Sequence, residues 1–273
     1  MAEQATTVTG AARIGEAFGA AREEGRAALM PYLMGGYPDT EGAVAIARAY
    51  AEAGADLIEL GVPFSDPLAD GPVIHAAATA ALEKGATLDS ALEACSAVAE
   101  RLPVVAMVYS NMILALGEDQ FAGKLADAGA AGAIVPDLPL EEQGGIRVAL
   151  SARGLALVPL VAPTTPPERR REICAAAEGF VYVVSTVGVT GEREALPSEL
   201  TELIAAVKRE AQVPVAVGFG ISTSEQAASV GELADGIISG SRLIRAIAEA
   251  SDLAAGLERV GSYLREVSAA LAA

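Results

Sequence analysis

Short apolar runs alternate along the chain with amphipathic, alanine-rich segments. Eight runs read as strands buried on both faces: Ala28–Met34, Leu57–Leu60, Val104–Val108, Gly132–Val135, Ala156–Val161, Phe180–Ser185, Val213–Val217 and Gly236–Ile238. Most successive runs are separated by roughly the chain length of one helix and two loops. The interval between the second and third runs is longer. It holds the polar, proline-rich stretch from Pro63 to Pro72, which predicts a functional loop.

Helix signals fill the intervals. Thr165-Pro166-Pro167-Glu168 and Ser222-Thr223-Ser224-Glu225 read as capping boxes, the first with proline at the first helical position. Thr87-Leu88-Asp89-Ser90 precedes a helical pattern over Ala91–Leu102, and Val44, Ala47 and Ala51 repeat at helical spacing within Glu41–Ala53. Asp252–Ala272 predicts a long terminal helix. Ala11–Glu24 predicts an extra helix ahead of the first strand, placed to cap the bottom of a barrel. No linker or composition break divides the chain, so one domain is expected over 1–273, with 1–10 as a loosely ordered tail. Eight strand–helix units predict a single (β/α)8 TIM barrel of the α/β class with an extra N-terminal helix. The rival is a doubly wound open sheet, but no Gly-x-Gly-x-x-Gly follows the first run.

Composition removes several chemistries. Acids outnumber bases 36 to 19, for a net charge of −17, which argues against nucleic-acid or anionic-membrane partners. With one histidine, His75, a Ser-His-Asp site has only one possible base and a two-histidine zinc motif is impossible. Cys95 and Cys174 stand far apart and read as reduced core residues of a cytoplasmic protein. Every apolar run is broken before the roughly 18 residues of a membrane helix, and Met1-Ala2-Glu3-Gln4 does not open a signal peptide.

A barrel places its chemistry at the carboxyl ends of its strands. Glu59 lies inside an apolar run, where burial would raise its pKa into the range useful for proton exchange. Asp70, in a glycine- and proline-rich loop, is expected to be wetter and ionised, so the two acids would divide acid and base roles. The competing structural reading pairs Glu59 with an arginine inside the barrel and makes Asp70 a helix cap. Gly218-Phe219-Gly220-Ile221-Ser222 and Ile238-Ser239-Gly240-Ser241-Arg242 follow the last two strands, where backbone amides and a helix N-terminus can hold phosphate without a lysine cluster; tight turns are the alternative. Ser185 to Glu194 is polar and glycine-punctuated, as suits a lid or an ordinary surface loop. Tyr32, Tyr109 and Tyr182 end strands, and each either binds substrate or finishes the core. Asn111, Asp137 and His75 are the remaining polar groups noted at this rim.

The run Glu59-Leu60-Gly61-Val62-Pro63-Phe64-Ser65-Asp66-Pro67-Leu68-Ala69-Asp70-Gly71-Pro72 resembles, nearly residue for residue, the signature of the tryptophan synthase alpha chain family. Pro31-Tyr32-Leu33-Met34-Gly35-Gly36-Tyr37-Pro38, Pro136-Asp137-Leu138-Pro139, Gly188-Val189-Thr190-Gly191, Gly218-Phe219-Gly220-Ile221 and Gly240-Ser241 also fall where that family has its motifs. The resemblance implies a retro-aldol cleavage of indole-3-glycerol phosphate to indole and glyceraldehyde 3-phosphate, with no metal or organic cofactor in this half-reaction. It makes Glu59 the general acid–base, Asp70 the acceptor of the indole N–H and Tyr182 the active-site tyrosine. It assigns Gly191, Gly220, Gly240 and Ser241 to the phosphate, Tyr32, Met107, Ile134 and Phe219 to the indole pocket, and Thr190 to a closing loop that meets Asp70. It also implies a beta chain that carries pyridoxal phosphate, assembled as an alpha2beta2 heterotetramer, with Ser65-Asp66-Pro67 as candidate contact. Two positions depart from the pattern: Tyr32 stands where many members carry Phe, and His75 where many carry Gln. Two other readings stay open: a non-catalytic subunit that activates a partner, and another phosphate-binding barrel, such as an isomerase of a phosphoribosyl intermediate.

Overall fold

The computed structural model describes residues 8–184, 197–218 and 220–272. Its strands are β1 (Ala28–Met34), β2 (Ile58–Gly61), β3 (Val104–Met107), β4 (Gly132–Ile134), β5 (Ala156–Val158), β6 (Leu160–Val161), β7 (Val181–Val184), β8 (Val215–Gly218) and β9 (Gly236–Ser239). Its helices are α1 (Gly10–Glu23), α2 (Thr40–Glu52), α3 (Pro72–Glu83), α4 (Leu88–Ser96), α5 (Ser110–Leu116), α6 (Glu118–Asp127), α7 (Gly144–Ser151), α8 (Pro167–Ala175), α9 (Ser198–Glu210), α10 (Ser224–Gly231), α11 (Ser241–Ala248) and α12 (Leu253–Leu271).

Every strand pairing is parallel, in the order β5-β4-β3-β2-β1-β9-β8-β7-β6. The two ends of that order, β5 and β6, are halves of one run separated only by Pro159. The sheet therefore curls back on itself as a (β/α)8 barrel of eight staves. Proline has no amide to give the ladder, which is why the run expected as one strand over Ala156–Val161 divides. The Pro159 carbonyl still accepts from the Tyr182 amide, at 3.0 Å.

Period-two alternation sorts side chains to the two faces of the barrel wall. Met30, Leu57, Val105, Ile134, Val158, Tyr182, Ala216 and Ile238 fill the interior. Leu29, Leu33, Ile58, Leu60, Val104, Val183, Val217 and Ile237 pack outward among the helices. The extra helix α1 is confirmed. Its Ile14 and Phe18 are buried in the interior cluster, and Phe18 sits over the Cα of Gly236, where a Cβ would clash. Burial of each of these two side chains contributes about 2 kcal/mol. The Thr9 hydroxyl caps α1 by accepting from the Ala12 amide.

Two expected caps move. Thr165 does not cap α8, whose cap position is Pro166; its hydroxyl instead accepts from the Ala162 amide. The α10 cap is Thr223, one residue later than expected, and the Gln226 side chain turns back to the Ser222 amide. A capping box that the sequence reading did not name forms between Thr87 and Ser90. The α4 pattern expected to reach Leu102 ends as helix at Ser96.

The amino end of the barrel is tied by carboxylates that reach strand amides. Asp56 accepts from the Leu29 amide at 2.7 Å and forms a bidentate pair with Arg26. Glu178 accepts from the Leu157 amide and pairs with Arg147 at 2.6 Å. Asp235 accepts from the Val215 amide and pairs with Lys208 at 2.8 Å.

Candidate active site

Alternation in β2 points Leu57 and Glu59 into the barrel and Ile58 and Leu60 outward. Register sets Glu59 beside Tyr32 of β1. Glu59 is 1% exposed, and its Oε1 has no hydrogen-bond partner among the described residues. Among the described residues no arginine meets it, so none of them supplies the expected ion pair. The Tyr182 hydroxyl lies near the Glu59 carboxyl. Burial, helped by the charge of Asp70, pushes Glu59 up to about 8, and the nearby Tyr182 hydroxyl pulls the other way. Glu59 is thus largely protonated near neutral pH.

Asp70 ends the loop between β2 and α3. It does not cap α3, whose cap residue Gly71 makes no side-chain bond. Its Oδ1 accepts instead from the Tyr109 hydroxyl, at 3.0 Å. Asp70 is half-buried rather than wet, and burial raises its carboxyl above the ordinary aspartate value. The Tyr109 bond and the nearby His75 oppose that rise. His75 itself is exposed on α3.

Tyr32 is buried, with its ring against Gly61 and its Cβ side close to Gly240. Burial, together with the charges of Asp70 and Glu59, raises its hydroxyl well above the usual tyrosine value. Ile134 is fully buried in the interior, and Met107 is half-buried where the interior meets the cluster around Tyr32 and Met34. A side chain at Gly61 would collide with the Tyr32 hydroxyl, and one at Gly218 with the Tyr182 hydroxyl.

Gly220 is exposed with φ +51, a conformation that favours glycine. Ser241 opens α11, and the first amides of a helix have no partner within it, so Gly240-Ser241 presents the positive end of a helix dipole. Sequence reasoning missed what holds this turn. The hydroxyls of Ser239 on β9 and Tyr263 on α12 both reach the Ile221 carbonyl at 3.3 Å. It also gave Tyr109 no role toward Asp70, although the position at the end of β3 was a signal. Thr190, Gly191 and Phe219 lie outside the described residues.

A cavity of about 510 Å³ opens at the other end of the barrel, lined by Arg13, Asp56, Arg101 and their neighbours. Its Asp56 is already bonded to Arg26, so that cavity is not the seat of the acid chemistry. No group of three or more His, Cys, Asp or Glu side chains converges as metal ligands among the described residues.

Fold and site together define a (β/α)8 barrel with a buried glutamic acid and a half-buried aspartate at its mouth and an exposed glycine turn near the start of a helix. Residues 18–272 match the family model described as tryptophan synthase alpha chain. The tryptophan synthase alpha chain of Carboxydothermus hydrogenoformans is 47% identical over 237 residues, covering 86% of this chain and 89% of that one. That of Synechocystis is 44% identical, covering 93% and 97%. A tryptophan synthase structure from Mycobacterium tuberculosis superposes with a TM-score of 0.88 at 41% identity, covering 96% of this chain and 98% of that chain. The chain belongs to the tryptophan synthase alpha chain family. It is a lyase subunit of tryptophan biosynthesis that catalyses the cleavage of indole-3-glycerol phosphate, and the family implies a beta chain partner.

Proposed function

We propose that Glu59 and Asp70 carry the retro-aldol cleavage as a divided pair. Glu59, held neutral by burial, gives its proton to the indole ring carbon that bears the side chain. Asp70 accepts the indole N–H and offsets the positive charge on the ring. The resulting Glu59 carboxylate takes the proton of the adjacent side-chain hydroxyl. The carbonyl of glyceraldehyde 3-phosphate forms, the carbon–carbon bond breaks, its electron pair returns to the ring as indole, and Glu59 ends protonated. Tyr182 orients Glu59 through its nearby hydroxyl.

Gly220, Gly240 and Ser241 bind the phosphate through backbone amides, with Gly191 joining them in the same reading. Tyr32, Met107, Ile134 and Phe219 enclose the indole, and Thr190 belongs to the closing loop. The observation that carries the reading is the buried Glu59 carboxyl, without a cation among the described residues, close enough to Asp70 to feel its charge. The partner assembly is proposed as alpha2beta2, with the pyridoxal phosphate on the beta chain and the exposed Ser65-Asp66 turn, followed by half-buried Pro67, as a contact. A cytoplasmic site of action fits the two free, buried cysteines, and no described helix is long and apolar enough to cross a membrane.

Indole release from indole-3-glycerol phosphate tests the reading. Asp70→Asn is expected to lose turnover by about 10²-fold or more. An Asp70→Asn protein with wild-type turnover would overturn the division of roles.

A further inference from the structure

Two side chains from different elements meet at the acid loop. Tyr109, the residue before α5, is 3% exposed, and its ring stacks on Phe64 with centroids 5.2 Å apart and planes 26° apart. Its hydroxyl accepts from the Ala69 amide at 3.1 Å and donates to Asp70 Oδ1 at 3.0 Å. The next residue, Ser110, donates from its amide at 2.9 Å and its hydroxyl at 2.8 Å to the two carboxylate oxygens of Asp137, beyond β4. The tyrosine is therefore fixed from below by the barrel wall, and its only donor proton is spent on Asp70.

We infer that Tyr109 is a positioning residue for the lyase reaction. It clamps the loop at Ala69-Asp70, aims the Asp70 carboxylate and holds it ionised, while the Phe64 stack keeps the clamp in register. This deepens the proposed role of Asp70 and rests on it.

Charge around Asp70 fits the assignment. Glu59 of β2, Tyr32 of β1 and Tyr182 of β7 face it from the barrel, His75 from α3, and Tyr109 from β3, with Asp137 behind Tyr109. Burial favours the neutral acid. Tyr109 supplies the hydrogen bond that favours the charged form, and His75 adds to it. The second oxygen, Oδ2, takes no hydrogen bond from a described residue, which leaves it for a ligand N–H.

The test uses the full chain with Tyr109→Phe, which keeps the ring and its stack, and with Asp70→Asn in parallel. Indole release is followed against pH and substrate concentration, and thermal unfolding is measured on each protein. Tyr109→Phe is expected to lower kcat about tenfold, change KM less than about threefold and move the acid limb of kcat/KM up by about one pH unit, with the melting temperature nearly unchanged. If Tyr109→Phe follows the wild-type pH profile, or loses only melting temperature, while Asp70→Asn is inactive, the clamp is overturned and the role of Asp70 stands. If Asp70→Asn retains wild-type turnover, the role of Asp70 falls and the clamp falls with it.

Discussion

Asp56 and Glu59 are three residues apart, yet the first lies just before β2 at the amino end of the barrel, the second points from β2 into the interior, and they do opposite work. Asp56, at the amino end, meets a bidentate guanidinium from Arg26 and a strand amide. Glu59, facing the interior, lies near a tyrosine hydroxyl and meets no cation among the described residues. The same contrast holds around the barrel. Asp56, Glu178 and Asp235 are each satisfied by a base and an amide at the amino end. At the carboxyl end, Glu59 and Asp70 lie beside tyrosines. A carboxylate given a cation is locked into its charge and stabilises the fold. One that is buried without a cation costs stability but can move a proton near neutral pH.

The sharpest way to break this comparison is Glu59→Gln. It is expected to lower indole release about 10³-fold while the melting temperature stays level or rises, measured by turnover and thermal unfolding. The same substitution checks the ionisation. A folded value of about 8 lies above the unfolded carboxyl value, so the folded state holds a proton that the unfolded state releases. Wild-type stability therefore contains a part present below about pH 4.5 that is lost as pH rises toward 8, amounting to a few kcal/mol. Denaturant unfolding of wild type and Glu59→Gln across that window is expected to show this slope only in the wild type. Equal slopes would place the Glu59 proton elsewhere.

At the other end, Asp56→Ala strands the Arg26 guanidinium and the Leu29 amide. It is expected to cost about 3 kcal/mol in denaturant unfolding. Turnover of the folded protein should stay within about twofold. A variant of Asp56 that kept its stability but lost catalysis would erase the distinction between the two ends. The smallest effect is expected at Tyr32→Phe. That hydroxyl makes only a 4.0 Å contact with the Met34 sulfur, so kcat and KM for indole-3-glycerol phosphate should change less than about threefold.

The alternation of apolar runs was strong enough to read β1 to its ends and to place seven further runs within a few residues. Burial on both faces leaves no polar phase to confuse such strands. The helix ends were less legible, since adjacent hydroxyl residues offer several cap positions and the fold used Thr223 rather than Ser222 and turned Thr165 to the Ala162 amide. In the site, Glu59 was marked as an acid inside an apolar run, Asp70 by its glycine- and proline-rich loop, and Tyr182 as a tyrosine in a strand run. Whether Glu59 met an arginine was not readable, because the answer lay on strands distant in the chain. Nor was the Tyr109 hydroxyl's choice of Asp70 over water, because 39 positions separate the two.

The amino-acid order alone determined the eight buried runs, the helices between them, the extra first helix and the residue types available for proton transfer. These follow from local periodicity and from composition, which need no knowledge of distant neighbours. Only the tertiary structure decided that the run broken at Pro159 closes the ring, that Asp70 is half-buried rather than wet, and that Asp56, Glu178 and Asp235 each find a base while Asp70 finds the Tyr109 hydroxyl. Ring closure, burial and ion pairing are sums over elements far apart in the chain, and the pKa of a carboxyl is set by that sum.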